Sequence, residues 1–189
     1  MQISPTALPD VLEITPARFG DHRGFFSETW NRKALTEAGI DIDFCQDNHS
    51  LSAEQHTLRG LHYQAPPSAQ DKLVRVVAGA VLDVAVDIRA GSPTFGQWVA
   101  VELSADKGNQ LLVPKGFAHG FLTLTPDVQV FYKCSDFYAP EADRAIRWDD
   151  PTLDIDWGVA PEMLTLSDKD RAAPYLTDAP SPFFFAGGT

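Results

Sequence analysis

With 189 residues, 44% of them hydrophobic, the chain can bury one substantial core but is too short for two comfortable domains, so residues 1–189 read as one domain. A net charge of −11 repels polyanions at long range. That argues against a nucleic-acid binder or a membrane-surface binder, and it means that an anionic ligand has to be met locally by a few of only 15 basic residues.

The opening stretch MQISPTALPDVLEITP has neither the basic leader nor the apolar run of a secretory signal. No segment of about 18 apolar residues is present to span a bilayer. A soluble, cytoplasmic protein is expected. Next in the chain, NRKALTEAGI predicts a short helix ended by Gly39.

From about residue 55 to residue 138 short segments rich in Val, Leu and Phe are punctuated by Gly and Pro. In VLDVAVDIR, Leu82, Val84, Val86 and Ile88 share one face while Asp83, Asp87 and Arg89 share the other, the period-two pattern of a half-buried strand. Strands at hairpin spacing without long amphipathic helices between them indicate an all-β antiparallel sandwich or barrel. In VQVFYKCS, Val128, Val130, Tyr132 and Cys134 share a face, so the Tyr132 phenol points where the valines point, into the interior.

Helical signal returns at LSDKDRAAP, where Ser167 is placed to cap a short helix with Asp170 three residues on, ending before Pro174. The tail PSPFFFAGGT carries three adjacent aromatics, expected to pack on the barrel or on a partner subunit. Cys45 and Cys134 lie far apart and form no CxxC pair, so both read as reduced thiols.

Two stretches carry the chemistry. In TLRGLHYQ, Arg59 and His62 flank Gly60 and Leu61; in a regular strand an odd separation puts them on opposite faces. Both can reach one cavity if Gly60 permits a bulge or if the strand ends between them. Taken alone, His62 reads as a hydrogen-bonded structural histidine, Tyr132 as a core tyrosine, Lys72 as a solvated strand lysine, and Arg23 and Arg59 as surface salt-bridge residues.

The second stretch is GNQLLVPKGFAHGF, in which Gly108, Pro114, Gly116 and His119 follow the spacing G-x5-P-x-G-x2-H. This resembles the second signature of the cupin β-barrels, and the implied fold is a cupin-like jelly roll with short flanking helices. Metal-binding cupins carry an earlier His-x-His pair and a glutamate seven residues before a glycine. Here those positions hold His62-Tyr63-Gln64 and Lys72, the latter seven before Gly79, so no metal is expected.

Together, DHRGFFSETW, FCQDNHS, LRGLHYQ, DKLVRVVAGAVLDVAVDIR, LLVPKGFAHGF, VFYKCSDFYAP, IRWDDP and LSDKD resemble the dTDP-4-dehydrorhamnose 3,5-epimerase family, in order from about residue 18 to residue 174. The resemblance implies a dTDP-linked 4-keto-6-deoxyhexose substrate, epimerised beside its ketone with no cofactor. It also implies roles. His62 becomes the base, its ordinary pKa of about 6.5 suiting it to the task. Asp170 is its carboxylate partner, Tyr132 the proton donor on the opposite sugar face, and Lys72 the cation at the C4 oxygen.

Substrate contacts implied by the same resemblance are Arg23, Phe26, Glu28, Gln46, Asn48, Arg59, His119, Tyr138, Asp143 and Lys169, with Asp143 standing where the family commonly has glutamate. A homodimer with exchanged N-terminal strands is implied too, in which Arg23 or Glu28 serves the neighbouring site. Other readings are an enzyme inverting one carbon only, a metal-dependent cupin enzyme, and a non-catalytic sugar-binding barrel.

Overall fold

The structure is a computed structural model that describes residues 1–186. Thirteen strands make two principal sheets and a hairpin: β1 (Gln2–Pro5), β2 (Leu12–Thr15), β3 (Arg18–Asp21), β4 (Gly24–Ser27), β5 (Gln46–Ser52), β6 (Leu58–Gln64), β7 (Lys72–Ala78), β8 (Ala80–Asp87), β9 (Trp98–Ser104), β10 (Gln110–Val113), β11 (Phe117–Thr123), β12 (Val128–Cys134) and β13 (Asp143–Ala145). One sheet runs β1-β2-β10-β7-β12-β5 and the other β13-β6-β11-β8-β9, while β3 and β4 pair only with each other. Every pairing between these strands is antiparallel. This is the jelly-roll sandwich implied by the resemblance of GNQLLVPKGFAHGF to the cupin signature.

Period-two alternation explains the core between the sheets. Val74, Val76, Leu111, Val113, Val128 and Val130 from the six-stranded sheet meet Val81, Ala85, Val99, Leu103, Phe117 and Phe121 from the five-stranded one. Tyr132 packs against this cluster, on the face of β12 that the alternation predicts. A second cluster lies on the outer side of the five-stranded sheet. There Val84, Val86 and Ile88 are covered by Ile146, Leu153, Trp157 and Leu164 from the C-terminal third.

That coat corrects the reading of β8 as half-buried. Asp83 and Asp87, expected to face solvent, are both fully enclosed. The apolar face of the strand turns toward the C-terminal coat, so the aspartates occupy the inner side. Asp87 is satisfied by Arg89, Ser92 and Thr94, and these bonds outweigh burial to hold its carboxyl at about 2.

Helix α1 (Arg32–Glu37) forms as predicted, with the Asn31 side chain accepting from the Ala34 N–H and Gly39 at φ 85° ending it. Leu35 joins Ile14, Leu73 and Leu112 on the outer side of the six-stranded sheet. Helix α2 (Asp168–Arg171) is capped by Ser167, whose Oγ accepts from the Asp170 N–H at 3.1 Å.

The aromatic tail is only partly packed. Backbone bonds tie Phe183 and Phe185 to Ala90, and alternation then sends Phe183 against Tyr63 and Phe185 against Arg89. Phe184 points outward and is 82% exposed, so of the two expected resting places the barrel takes Phe183 and Phe185 but not Phe184. The last three residues of the tail lie outside the described residues.

Candidate active site

Strand β6 carries the irregularity that builds the site. Against β11 it pairs His62 with His119 and Arg59 with Phe121, three steps on one strand against two on the other. The extra residue is a bulge. Gly60 sits there at φ 116°, and a Cβ on it would lie 2.6 Å from the Gly120 Cα and 2.7 Å from the His119 carbonyl oxygen. Only glycine fits that backbone and that space. The bulge restores parity, and Arg59 and His62 line the same cavity.

Nine residues line it: Ser50, Arg59, His62, Lys72, His119, Phe121, Tyr132, Ser167 and Asp170. His62 and His119 come from one sheet, Lys72 and Tyr132 from the other, so the two pairs face the space from opposite walls. The cavity continues, past His62, Lys72 and Tyr132, into a second chamber that Gln46, Asn48, Tyr138, Asp143 and Lys169 help to line.

His62 and Asp170 are joined by a 2.6 Å hydrogen bond between Nε2 and Oδ1. The Ser167 hydroxyl donates to the other carboxylate oxygen at 2.7 Å. Burial pushes the Asp170 carboxyl up, but these two bonds, with the nearby imidazole and the Gly60 N–H, more than offset it and the net shift is downward. A carboxylate at Nε2 places a proton there and leaves Nδ1 with the lone pair of the neutral ring. The pair is therefore built to accept a proton and to stabilise the resulting cation.

On the facing wall, burial pushes the Tyr132 phenol up, so it holds its proton at neutral pH. Burial lowers Lys72, with Cys134, Asp143 and Asp83 pulling the other way. Lys72 makes no ion pair among the described residues. An ammonium group held without a partner in a cavity is available to a developing anion. Arg59 is steadied by Ser52 and by the Leu51 carbonyl.

In the second chamber Gln46 accepts from the Tyr138 N–H at 3.0 Å and donates to Asn48 at 3.1 Å. Asp143 pairs with Lys169, and the Tyr138 hydroxyl reaches the same carboxylate at 3.5 Å. Though shorter than glutamate, Asp143 thus remains tied to two of the residues expected beside it.

Three expected contacts lie elsewhere in this chain. Arg23 and Phe26 sit at the β3–β4 hairpin, around a separate shallow pocket. Arg23 pairs with Asp21 at the surface. Phe26 is 68% exposed, and Glu28 accepts from Asn31. The hairpin pairs with neither principal sheet, and none of the three residues lines the main cavity or its second chamber.

Sequence reading missed Ser50, Phe121 and, as a cavity residue, Ser167. Ser50 and Phe121 follow Asn48 and His119 by two, so strand parity carried their signal. Ser167 was visible only as a cap.

The donor set does not suit the metal that many cupins hold. Among the described residues no group of three or more His, Cys, Asp or Glu side chains could hold one. His62 and His119 are each engaged by a carboxylate, and Lys72 brings a cation into the same space.

The family profile described as dTDP-4-dehydrorhamnose 3,5-epimerase matches residues 5–178. The chain belongs to this family. An epimerase of that name from Pseudomonas aeruginosa is 52% identical over 180 residues, covering 95% of this chain and 98% of the relative. One from Sinorhizobium fredii is 48% identical over 185 residues, covering 97% and 93%. A crystal structure of a dTDP-6-deoxy-D-glucose-3,5-epimerase from Legionella pneumophila, in complex with dTDP-4-keto-L-rhamnose, superposes with a TM-score of 0.92 at 47% identity, covering 98% of this chain and 99% of that one.

Proposed function

We propose that the chain is a dTDP-4-dehydrorhamnose 3,5-epimerase, converting dTDP-4-dehydro-6-deoxyglucose into dTDP-4-dehydro-L-rhamnose. The observation that carries the reading is His62, bonded to Asp170, standing on the wall opposite Tyr132 and Lys72.

The ketone at C4 acidifies the protons at C3 and C5. His62 takes a proton from one of these carbons and the electron pair moves onto the C4 oxygen, where Lys72 meets it. Asp170 stabilises the imidazolium. Tyr132 then protonates the same carbon from the other face, the enolate electrons return to form the ketone, and exchange with solvent resets both side chains. The second carbon follows the same course. No cofactor enters, and His119 and Arg59 hold the sugar and its diphosphate.

Gln46, Asn48, Tyr138, Asp143 and Lys169 extend the binding surface toward the nucleotide. Arg23, Phe26 and Glu28 serve a second copy. The exposed Phe19, Phe25 and Phe26 of the hairpin support a homodimer in which this arm reaches the partner's cavity. The whole chain acts as one epimerase domain in the cytoplasm; no helix among the described residues is long and apolar enough to cross a membrane.

Turnover in deuterated water tests substrate and scope together. Label is expected at both C3 and C5, whereas incorporation at one carbon would make this a single-carbon epimerase and none would reject the chemistry.

A further inference from the structure

Asp83 lies in the middle of β8, fully buried, on the side that looks into the barrel. Its Oδ1 faces Nε2 of His119 at 2.8 Å. Its Oδ2 is buried with no hydrogen-bond partner among the described residues. A carboxylate enclosed in this way, with one oxygen unused, costs stability that an aliphatic side chain of similar size would not. The fold supplies no reason for it, whereas the cavity supplies two.

The first is His119, the cross-strand partner of His62, which lines the cavity with it. Asp83 receives the Nε2 proton of His119 and so fixes the ring in one orientation and one tautomer. The second is Lys72 on the opposite wall. The ionisable groups acting on its ammonium are Cys134 on the neighbouring strand, Asp143 on β13, Lys169 on α2 and Asp83, and His62 and Tyr132 line the cavity beside it. Asp143 already pairs with Lys169. Asp83 is the one whose spare oxygen is buried without a partner among the described residues.

We propose that Asp83 is a positioning residue for epimerisation: its Oδ1 holds the His119 ring against the sugar, and its buried, unpartnered Oδ2 sets a negative pole on the wall facing Lys72. The inference rests on the proposed function and adds to it a residue that touches no substrate.

Asp83→Asn separates charge from shape, since the amide oxygen still accepts from His119. The variant is expected to keep its melting temperature, to hold KM within about threefold, and to lose on the order of 10–100-fold in kcat, as residues supporting a reactive group do. The alkaline limb of its pH–rate profile moves to lower pH. Titration of Lys72 by NMR of lysine-labelled protein, without substrate, is expected to give a lower midpoint in the variant. Wild-type kcat together with an unchanged Lys72 midpoint would overturn the proposal, as would a kcat loss matched by lost folding with that midpoint unmoved. The NMR measurement stands apart from turnover, so failure of the wild-type protein to epimerise would reject the proposed function and still leave the role of Asp83 readable.

Discussion

Gly60 and Gly120 meet backbone to backbone across β6 and β11, close enough that a methyl group on Gly60 would lie 2.6 Å from the Gly120 Cα. The same glycine holds φ at 116°, where a side chain is strained whatever the space. Gly60→Ala therefore adds backbone strain to a steric clash, and the expected loss is about 2–4 kcal/mol. In a chain of this length that lowers the melting point by roughly 5–15 °C. Because the bulge brings Arg59 and His62 into one cavity, turnover is expected to fall further than the melting point alone explains. Calorimetry beside an activity assay at a temperature where the variant is folded checks both; a stable, fully active variant would remove the bulge from the argument.

Lys72 shows the opposite relation between stability and activity. Burial disfavours its ammonium form, so folding the charged side chain costs free energy at neutral pH. Lys72→Met removes that cost, and the variant is expected to melt at or above the wild-type temperature. Turnover should fall on the order of 10²–10³-fold or more, the range for losing one electrostatic contact to a developing oxyanion. The sign of the pH effect follows. The folded pKa lies below the ordinary lysine value of about 10.4, so the ammonium is lost, and the rate falls, at lower pH than for an exposed lysine. A wild-type profile that stays flat up to the ordinary lysine range would contradict this.

Ser167 has two tasks that one substitution removes together. Its Oγ caps α2 and its hydroxyl donates to Asp170. Ser167→Ala is expected to cost about 1 kcal/mol as a lost cap. It also takes away one of the bonds that hold the Asp170 carboxyl down against burial. The Asp170 pKa then rises and the carboxylate protonates at higher pH, which carbon-13 NMR of the Asp170 carboxyl reads directly. Ser167→Thr keeps the hydroxyl and should restore the midpoint. Stability loss with the Asp170 midpoint unmoved would reduce Ser167 to a cap.

The site residues were legible only through family resemblance, but the direction of Tyr132 was legible by itself because strand parity is local. The alternation in VQVFYKC aims Tyr132 with Val128 and Val130, and no distant contact is needed to see it. Asp83 was misread for the converse reason. The alternation in VLDVAVDIR gives two faces, but which one meets solvent depends on Ile146, Leu153 and Trp157, more than fifty residues away. Once the C-terminal coat takes the apolar face, the aspartates have to turn inward. The same limit applies to Arg23, Phe26 and Glu28. Family resemblance alone implies that they belong to a site, and nothing local says which copy's site it is.

The hairpin offers the sharpest test of that last point. If β3 and β4 reach across to a second copy, each cavity is completed by Arg23 from one chain and His62 from the other. Arg23→Ala and His62→Ala homodimers would each be crippled, the first in substrate binding and the second in proton transfer. In a mixed dimer, the cavity that loses His62 also receives the altered hairpin, while the other receives wild-type residues at both positions. Random assembly makes about half the dimers mixed with one intact site in two, so co-refolding equal amounts should recover about a quarter of wild-type activity at limiting substrate. If instead the hairpin served its own cavity, every site would carry one defect and mixing would recover nothing beyond the sum of the parents.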